Sequence, residues 1–163
     1  VVMAQLRQEL AELGLENVET YINSGNIFFD SSKARTLLVE SLQGFFEVHY
    51  PFIKSFSLVS QEDYEEELRT LPAWWFQEMA RKDVLFYTEG LHVETVVEKV
   101  KTLQLLDEVL HFGKHGIFWG KLSEETYAKR AYHKQLLKLP FYCKITIRNA
   151  NTFDKIGQFF KHK

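Results

Sequence analysis

The chain has 163 residues and a formal net charge of −2, with 45% hydrophobic and 26% charged residues. This composition excludes a disordered chain and allows one compact domain or two small subdomains with a real core. Its single cysteine, Cys143, excludes an internal disulfide and a zinc site built from several cysteines. A lone cysteine fits a reducing compartment, and no apolar run reaches the roughly 20 residues of a membrane-spanning helix. We therefore expect a cytoplasmic protein without a membrane partner.

The charges are divided unevenly along the sequence. Residues 1–120 hold 10 Lys and Arg against 19 Asp and Glu, whereas residues 121–163 hold 10 against 3. A basic C-terminal segment can mark a surface for anionic partners. Alternatively, acidic and basic faces lie near each other within one globule. The sequence leaves both interpretations open.

The first part of the chain follows the order helix, hairpin, helix, strand. Apolar residues at spacings of three and four favour the helices, and runs rich in Val, Tyr, Ile and Phe favour the strands. Gly14 is the predicted stop of the first helix, and Ser31 or Ser32 is the predicted N-cap of the second. The predicted elements are a helix over 3–13, strands over 17–22 and 26–30, a helix over 33–48 and a strand over 52–59.

The second part follows the order strand, helix, hairpin, helix, strand, after a stretch with an acidic helix and several aromatic residues. Ser60 is the predicted N-cap of the acidic helix. Its acidic run, Glu62, Asp63, Glu65, Glu66 and Glu67, is interpreted as a solvated helix face. The other predicted elements are a strand over 83–88, a helix over 93–100, a hairpin turning at 113–116, a helix over 123–138 capped by Ser123, a strand over 142–149 and a final helix through 153–160.

The two parts share one order of elements about 90 residues apart, which is the βαββαβ unit of a ferredoxin-like fold. The first copy lacks only its first strand. That strand lies inside the sheet of such a unit, so we expect a strand upstream of Val1, or a strand from elsewhere, to pair there. The predicted fold class is α+β, with two ferredoxin-like subdomains and antiparallel sheets. The predicted division is 1–59 for the first subdomain, 60–82 for a connecting segment and 83–163 for the second subdomain with its C-terminal helix.

Two stretches of sequence carry a family resemblance. They are MAQLRQELAELGLENVETYINSGNIFFDS near the start and FYCKITIRNANTFDKIGQF near the end, with LPAWWF and RKDVLFYTEG between them. Together they resemble an uncharacterised bacterial family, domain of unknown function 1697, over essentially the whole chain. In family members a short strand and an Arg-Gly-Ile-Asn-Val-Gly-Gly turn precede the first helix. The resemblance implies a pair of ferredoxin-like subdomains and no established activity.

The corner Asn23-Ser24-Gly25-Asn26 is the first candidate binding site. Gly25 and an adjacent Asn can supply the positive φ of a hairpin corner, and Asn or Ser side chains can bond to nearby backbone. Turn chemistry therefore explains these residues by itself. Alternatively, Asn23, Ser24 and Asn26 orient polar groups toward a ligand and form a small anion nest with a neighbouring glycine-rich turn.

The stretch TIRNANTFDK is the second candidate. Asn151 or Thr152 is the predicted N-cap of the final helix, and structural capping alone is one interpretation. A helix start also offers free N–H groups and a partial positive charge to an anion. In that hypothesis Arg148 and Lys155 neutralise charge, and Asn149, Asn151 and Thr152 supply hydrogen bonds.

A basic stripe is the third candidate. Arg130, Lys134 and Lys138 recur every four residues and would share one helix face. Such a stripe can contact nucleic-acid phosphates, although more often it is simply a solvated face. The acidic balance of residues 1–120 weakens the case for a long nucleic-acid footprint.

Catalytic and metal-binding motifs are not found in the sequence. Ser24 lacks a nucleophile elbow. His111 and His115 flank a predicted turn and have no carboxylate at the spacing of zinc hydrolases. The tryptophans favour packing over a ligand cage. We expect no cofactor and no metal.

The leading hypothesis is a non-enzymatic cytosolic binding domain for a small anionic or nucleotide-like ligand. A nucleic-acid-binding module that uses the basic C-terminal third is the first alternative, and an enzyme of unknown reaction is the second. An enzyme would need a titratable base, and the sequence identifies none. The sequence predicts no oligomeric state.

Overall fold

The computed structural model describes residues 1–22, 25–105, 107–122, 138–139 and 144–161. The chain divides into two compact units, Val1–Lys54 and Ser55–Lys163. The first contains α1 (Met3–Glu12), β1 (Glu16–Tyr21), β2 (Asn26–Asp30) and α2 (Arg35–His49). The second contains α3 (Gln61–Thr70), a 3₁₀ helix (Ala73–Phe76), β3 (Arg81–Tyr87), α4 (Val93–Lys101), β4 (Glu108–Phe112), β5 (Gly116–Lys121), β6 (Ile145–Asn149) and α5 (Ala150–Lys161).

The first unit is built on one antiparallel hairpin and two helices. β1 pairs with β2, so that Thr20 lies opposite Ile27. The predicted stop of α1 is confirmed, because Gly14 follows the helix with a φ of 102° that favours glycine. The apolar spacing of the two helices places one face of each in the core, namely Leu6, Leu10, Leu38, Leu42, Phe45 and Phe46.

One local prediction for the first unit is wrong. The N-cap of α2 is Ala34, without a side-chain cap, whereas Ser31 Oγ accepts a hydrogen bond from the N–H of Lys33 in a turn before the helix. At the hairpin corner Ile22 has a positive φ of 54°, and the positive φ expected at Gly25 stays a prediction, because the preceding Ser24 lies outside the described residues. A β-branched residue is strained in this conformation. Turn composition therefore located the corner but did not predict the left-handed conformation of Ile22.

Residues 52–59 form no strand, contrary to prediction, although all of them are described. Their bonds include Ser57 Oγ to Thr146 Oγ1 at 3.0 Å and the N–H of Glu89 to the carbonyl of Phe56 at 2.9 Å. A strand requires a continuous partner ladder. In the second unit the last strand, β6, finds that ladder on β3. Residues 52–54 lie in the first unit, whose described part has no strand equivalent to β3, whereas residues 55–59 lie in the second unit.

The second unit is built on a four-stranded antiparallel sheet in the order β4-β5-β3-β6. Alternate residues of the strands face opposite sides. Leu85, Ile117 and Trp119 pack with Val96 and Val100 of α4 on one side. On the other side, Val84, Phe86 and Phe118 pack with Tyr64 of α3, Trp75 of the 3₁₀ helix and Phe153 of α5.

Residues 60–82, predicted to connect two subdomains, lie within the second unit. Trp75 is 5% exposed, and Lys82 Nζ donates to its carbonyl at 2.7 Å. The predicted cap of α3 is confirmed. Ser60 Oγ accepts from the N–H of Asp63 at 3.0 Å, and the Asp63 carboxylate accepts from the N–H of Ser60 at 3.1 Å. This capping box satisfies two N–H groups that a helix start leaves unpaired.

We expect Ser60→Ala to lower the free energy of unfolding by about 1 kcal/mol, because it removes the acceptor for the N–H of Asp63. Ser32→Ala is the matched control, since α2 has no side-chain cap, and we expect it to stay within about 0.5 kcal/mol of wild type. Denaturant unfolding measures both. Equal effects of the two substitutions would contradict the capping box.

The predicted helix over 123–138 falls almost entirely outside the described residues, as does Cys143. None of the helices in the described part of the chain is both long enough and apolar enough to cross a membrane.

Candidate functional site

The junction between β6 and α5 contains most of the predicted ligand-binding residues. The cap of α5 is Asn149, because its side-chain oxygen accepts from the N–H of Thr152 at 2.9 Å. The prediction that Asn151 or Thr152 caps the helix is therefore wrong. The strand runs into the helix without a separate turn, so the capping position falls on the last residue of β6. Thr152 is buried in the first turn, and Asn151 is exposed.

Arg148 supplies the main positive charge at this junction. It is half-buried, and its Nη1 donates to the carbonyl of Ile147 at 2.8 Å. Burial lowers the pKa of its guanidinium, because removal from water disfavours the charged form. Lys155 lies one turn into the helix, and its Nζ is 3.4 Å from Oε1 of Gln158. The junction thus combines a partly desolvated cation with the positive end of a 12-residue helix.

The hairpin corner is described only in part. Asn26 Nδ2 donates to the carbonyl of Tyr21 at 3.1 Å across the corner, which favours its structural role. Asn23 and Ser24 lie outside the described residues. Asn26 belongs to the first unit, whereas Arg148 and the other candidates belong to the second. Their roles as one ligand site stay a prediction.

The basic stripe also lies largely outside the described residues. Arg130 and Lys134 are not described, and Lys138 is exposed. The nucleic-acid alternative therefore stays a prediction from the sequence.

The sequence analysis missed a buried carboxyl on α3. Glu67, interpreted as part of a solvated face, is 2% exposed, so this part of the prediction is wrong. Its Oε1 accepts from the N–H of His115 at 2.6 Å, on the turn between β4 and β5. Asp63, one turn earlier, has its Oδ1 3.5 Å from Nε2 of His115. Tyr87 donates to the carbonyl of Gly113 at 3.4 Å beside them.

The surroundings of Glu67 shift the pKa values of two groups. Burial raises the pKa of the Glu67 carboxyl, and the hydrogen bond and charge of His115 oppose that effect only in part. Burial, together with the nearby Glu67 charge, raises the pKa of Tyr87 to about 12. Clusters of shifted groups mark functional sites more often than other surfaces do, although structural networks produce them too.

Helical spacing is the signal that could have found Glu67. Tyr64, Glu67 and Leu71 follow one another at three and four residues, so a carboxyl falls in the apolar face of α3. Charge counting overlooked this position because its neighbours Glu65 and Glu66 are also acidic. In the described part of the chain, no three His, Cys, Asp or Glu side chains are placed to hold a metal ion.

The fold is α+β with two antiparallel sheets, and the junction is a capped helix start beside a half-buried arginine. The chain belongs to the family described as protein of unknown function (DUF1697), whose model matches residues 1–118. This confirms the family resemblance. A solved structure of a conserved bacterial protein from Streptococcus pneumoniae is 69% identical, with a TM-score of 0.95, over 97% of this chain and 88% of that chain. No curated protein matches the chain.

Proposed function

We propose that the protein is a binding protein for a small anionic or nucleotide-like ligand, held at the β6–α5 junction. The observation that carries this proposal is the position of Arg148, a half-buried guanidinium one residue before the cap of α5. A bound anion would stabilise a charge that burial disfavours. The same anion would meet the N–H groups of the first helical turn.

The roles of the other residues follow from the chemistry of the junction. Lys155 adds a second positive charge one turn further along the helix, and Asn151 offers an exposed amide in the first turn. Asn149 serves the ligand indirectly, because its side chain fixes the helix start on which the N–H groups lie. Thr152 is buried, and its backbone N–H donates to the side chain of Asn149 in the cap. In this proposal these groups bind and orient the anion, and none of them has a catalytic role.

We also propose that both units are ferredoxin-like subdomains. The strand order β4-β5-β3-β6 supports this for the second unit, because a βαββαβ unit places its first strand between the third and the fourth. In the first unit, the hairpin and α1 and α2 correspond to the middle of such a unit. A strand added beside β2 would give its sheet the central strand that β3 supplies in the second unit.

The anion proposal predicts the effect of Arg148→Ala. We expect it to weaken a bound anion by about 1.5 to 3 kcal/mol, the range of a hydrogen bond to a charged group. Isothermal titration with inorganic phosphate, nucleoside monophosphates and small carboxylates first identifies the anion that binds wild-type protein. The same titration then measures the variant.

Arg69→Ala is the matched control, because Arg69 is an exposed arginine of α3 in the same unit. It removes the same charge and should leave affinity unchanged apart from a small salt-dependent term. Equal affinity of wild type and Arg148→Ala would reject the junction as the site. Equal losses in the two variants would indicate nonspecific attraction to net charge.

A further inference from the structure

The carboxyl of Glu67 is seated against the tip of the β4–β5 hairpin, residues 113–116. Besides the bond from His115, the N–H of Lys114 also interacts with this carboxyl. The tip closes on itself through the N–H of Gly113 and the carbonyl of Gly116, 2.9 Å apart. A Cβ on Gly113 would overlap Oε2 of Glu67. The glycine therefore lets the carboxyl approach the backbone of the tip directly.

One oxygen of this carboxyl is left without a partner. Oε2 of Glu67 is buried and has no hydrogen bond to any described residue, and the same holds for Nε2 of His111 on β4. An ionised oxygen without a partner is costly to bury, whereas a neutral carboxyl carries a proton that it can donate. The burial of this unpartnered oxygen thus favours a protonated carboxyl, against the N–H groups of His115 and Lys114, which favour the ionised form.

Charged and titratable groups surround Glu67 on several elements. His111 and His115 act on its carboxyl directly and favour ionisation, against the larger effect of burial. The groups near the carboxyl or its partners are Asp63 and Glu66 on α3, Tyr87 on β3, His111 on β4, and Lys114 and His115 on the hairpin tip. On α5, Asp154 acts on Tyr64, which lies one turn before Glu67, and Lys155 is next to Asp154.

We propose that Glu67 is a proton-controlled latch, whose neutral carboxyl holds the hairpin tip on α3 and whose ionisation releases the tip. The two states differ in whether water reaches the carboxyl. In the released state the carboxyl is hydrated, so it ionises at its ordinary pKa. In the held state burial raises that pKa above the ordinary 4.5.

The sign of the pH effect follows from proton linkage. The held state binds the proton more tightly, so the latch is strongest below pH 4.5 and weakens as pH rises through the raised pKa. Because one proton is released, the equilibrium constant for opening rises at most about tenfold per pH unit within that window. Above the raised pKa it levels off.

Hydrogen exchange of the His115 amide in the full chain reports on the latch, because this N–H bonds to Glu67. Exchange rates by NMR between pH 4 and 8 are divided by the intrinsic rate at each pH, which gives a protection factor. We expect the protection factor of His115 to fall with rising pH by up to about tenfold per unit. The amide of Leu85, in the central strand β3, corrects for global unfolding.

Two neighbouring carboxyls provide a matched pair of variants. Glu67→Gln should abolish the pH dependence at His115, whereas Glu66→Gln should keep it, although Glu66 pairs with Lys114 on the same tip at 3.3 Å. If Glu67→Gln does not fold, Gly113→Ala displaces the carboxyl without changing charge, and it should lower the protection of His115 at pH 4. Protection that is independent of pH in wild type, or a pH dependence that persists in Glu67→Gln, would overturn the proposal.

Discussion

Replacing Phe153 by alanine is expected to lower the free energy of unfolding by about 3 to 5 kcal/mol, the range for deleting a buried aromatic ring. Phe153 is 2% exposed and makes ring contacts with four aromatic residues. Its ring centroid lies 4.7 Å from that of Tyr64, 5.4 Å from that of Phe118 and 5.7 Å from that of Trp75. The ring therefore joins α5, α3, the 3₁₀ helix and the sheet, and none of these elements can close the cavity alone.

Phe76→Ala is the matched control for this prediction. The same atoms are removed, but Phe76 is 66% exposed at the end of the 3₁₀ helix. We expect its effect on the free energy of unfolding to stay within about 0.5 kcal/mol. Denaturant unfolding followed by tryptophan fluorescence measures both variants, since Trp75 lies beside Phe153. Similar effects of the two substitutions would contradict the aromatic core described above.

The second large effect is expected for Gly157→Ala in α5. A Cβ at this position would lie 2.5 Å from the hydroxyl oxygen of Tyr64 and 2.8 Å from its ring. Tyr64 cannot easily move away, because it is 4% exposed and its hydroxyl donates to the carbonyl of Phe153 at 2.8 Å. We expect the variant to lose about 1 to 3 kcal/mol in the free energy of unfolding through overpacking.

Gly44→Ala is its matched control, because Gly44 also lies within a helix, α2, but faces open space. Alanine favours the helix over glycine by up to about 1 kcal/mol, so the control should stabilise the protein. The two substitutions add the same methyl group and should move the unfolding midpoint in opposite directions. A stabilising Gly157→Ala would show that α3 and α5 are less tightly packed than their contacts indicate.

Sequence patterns predicted most of the described helices and strands, although the predicted strand over 52–59 is absent. Apolar residues spaced three and four apart predicted α1, α2 and α4, and runs rich in Val, Ile, Phe and Tyr predicted β3, β4 and β5. These patterns are local, because one face of each element must be apolar to bury it. The predicted cap residues of the helices were less reliable. Ser60 caps α3 as predicted, but α2 begins at a residue without a side-chain cap.

The sequence predicted only part of the candidate site. The sequence singled out the stretch containing Arg148 and Asn149, since turn-forming and basic residues there precede an amphipathic helix. It assigned the cap to the wrong residues because the strand and helix are continuous. It also missed Glu67, whose neighbours in sequence are acidic and solvated, while its own side chain points toward a hairpin 48 residues away.

By itself, the sequence determined the family, through the resemblance of its two end stretches, and the α+β class with most of the described elements, through composition and local spacing. Only the tertiary structure decided that residues 60–82 belong to the second unit, that residues 52–59 remain without a ladder and that Glu67 is buried. Each of these three findings depends on contacts between residues that are far apart in the sequence. A strand exists only where a partner ladder does, and a carboxyl loses its water only where another element covers it.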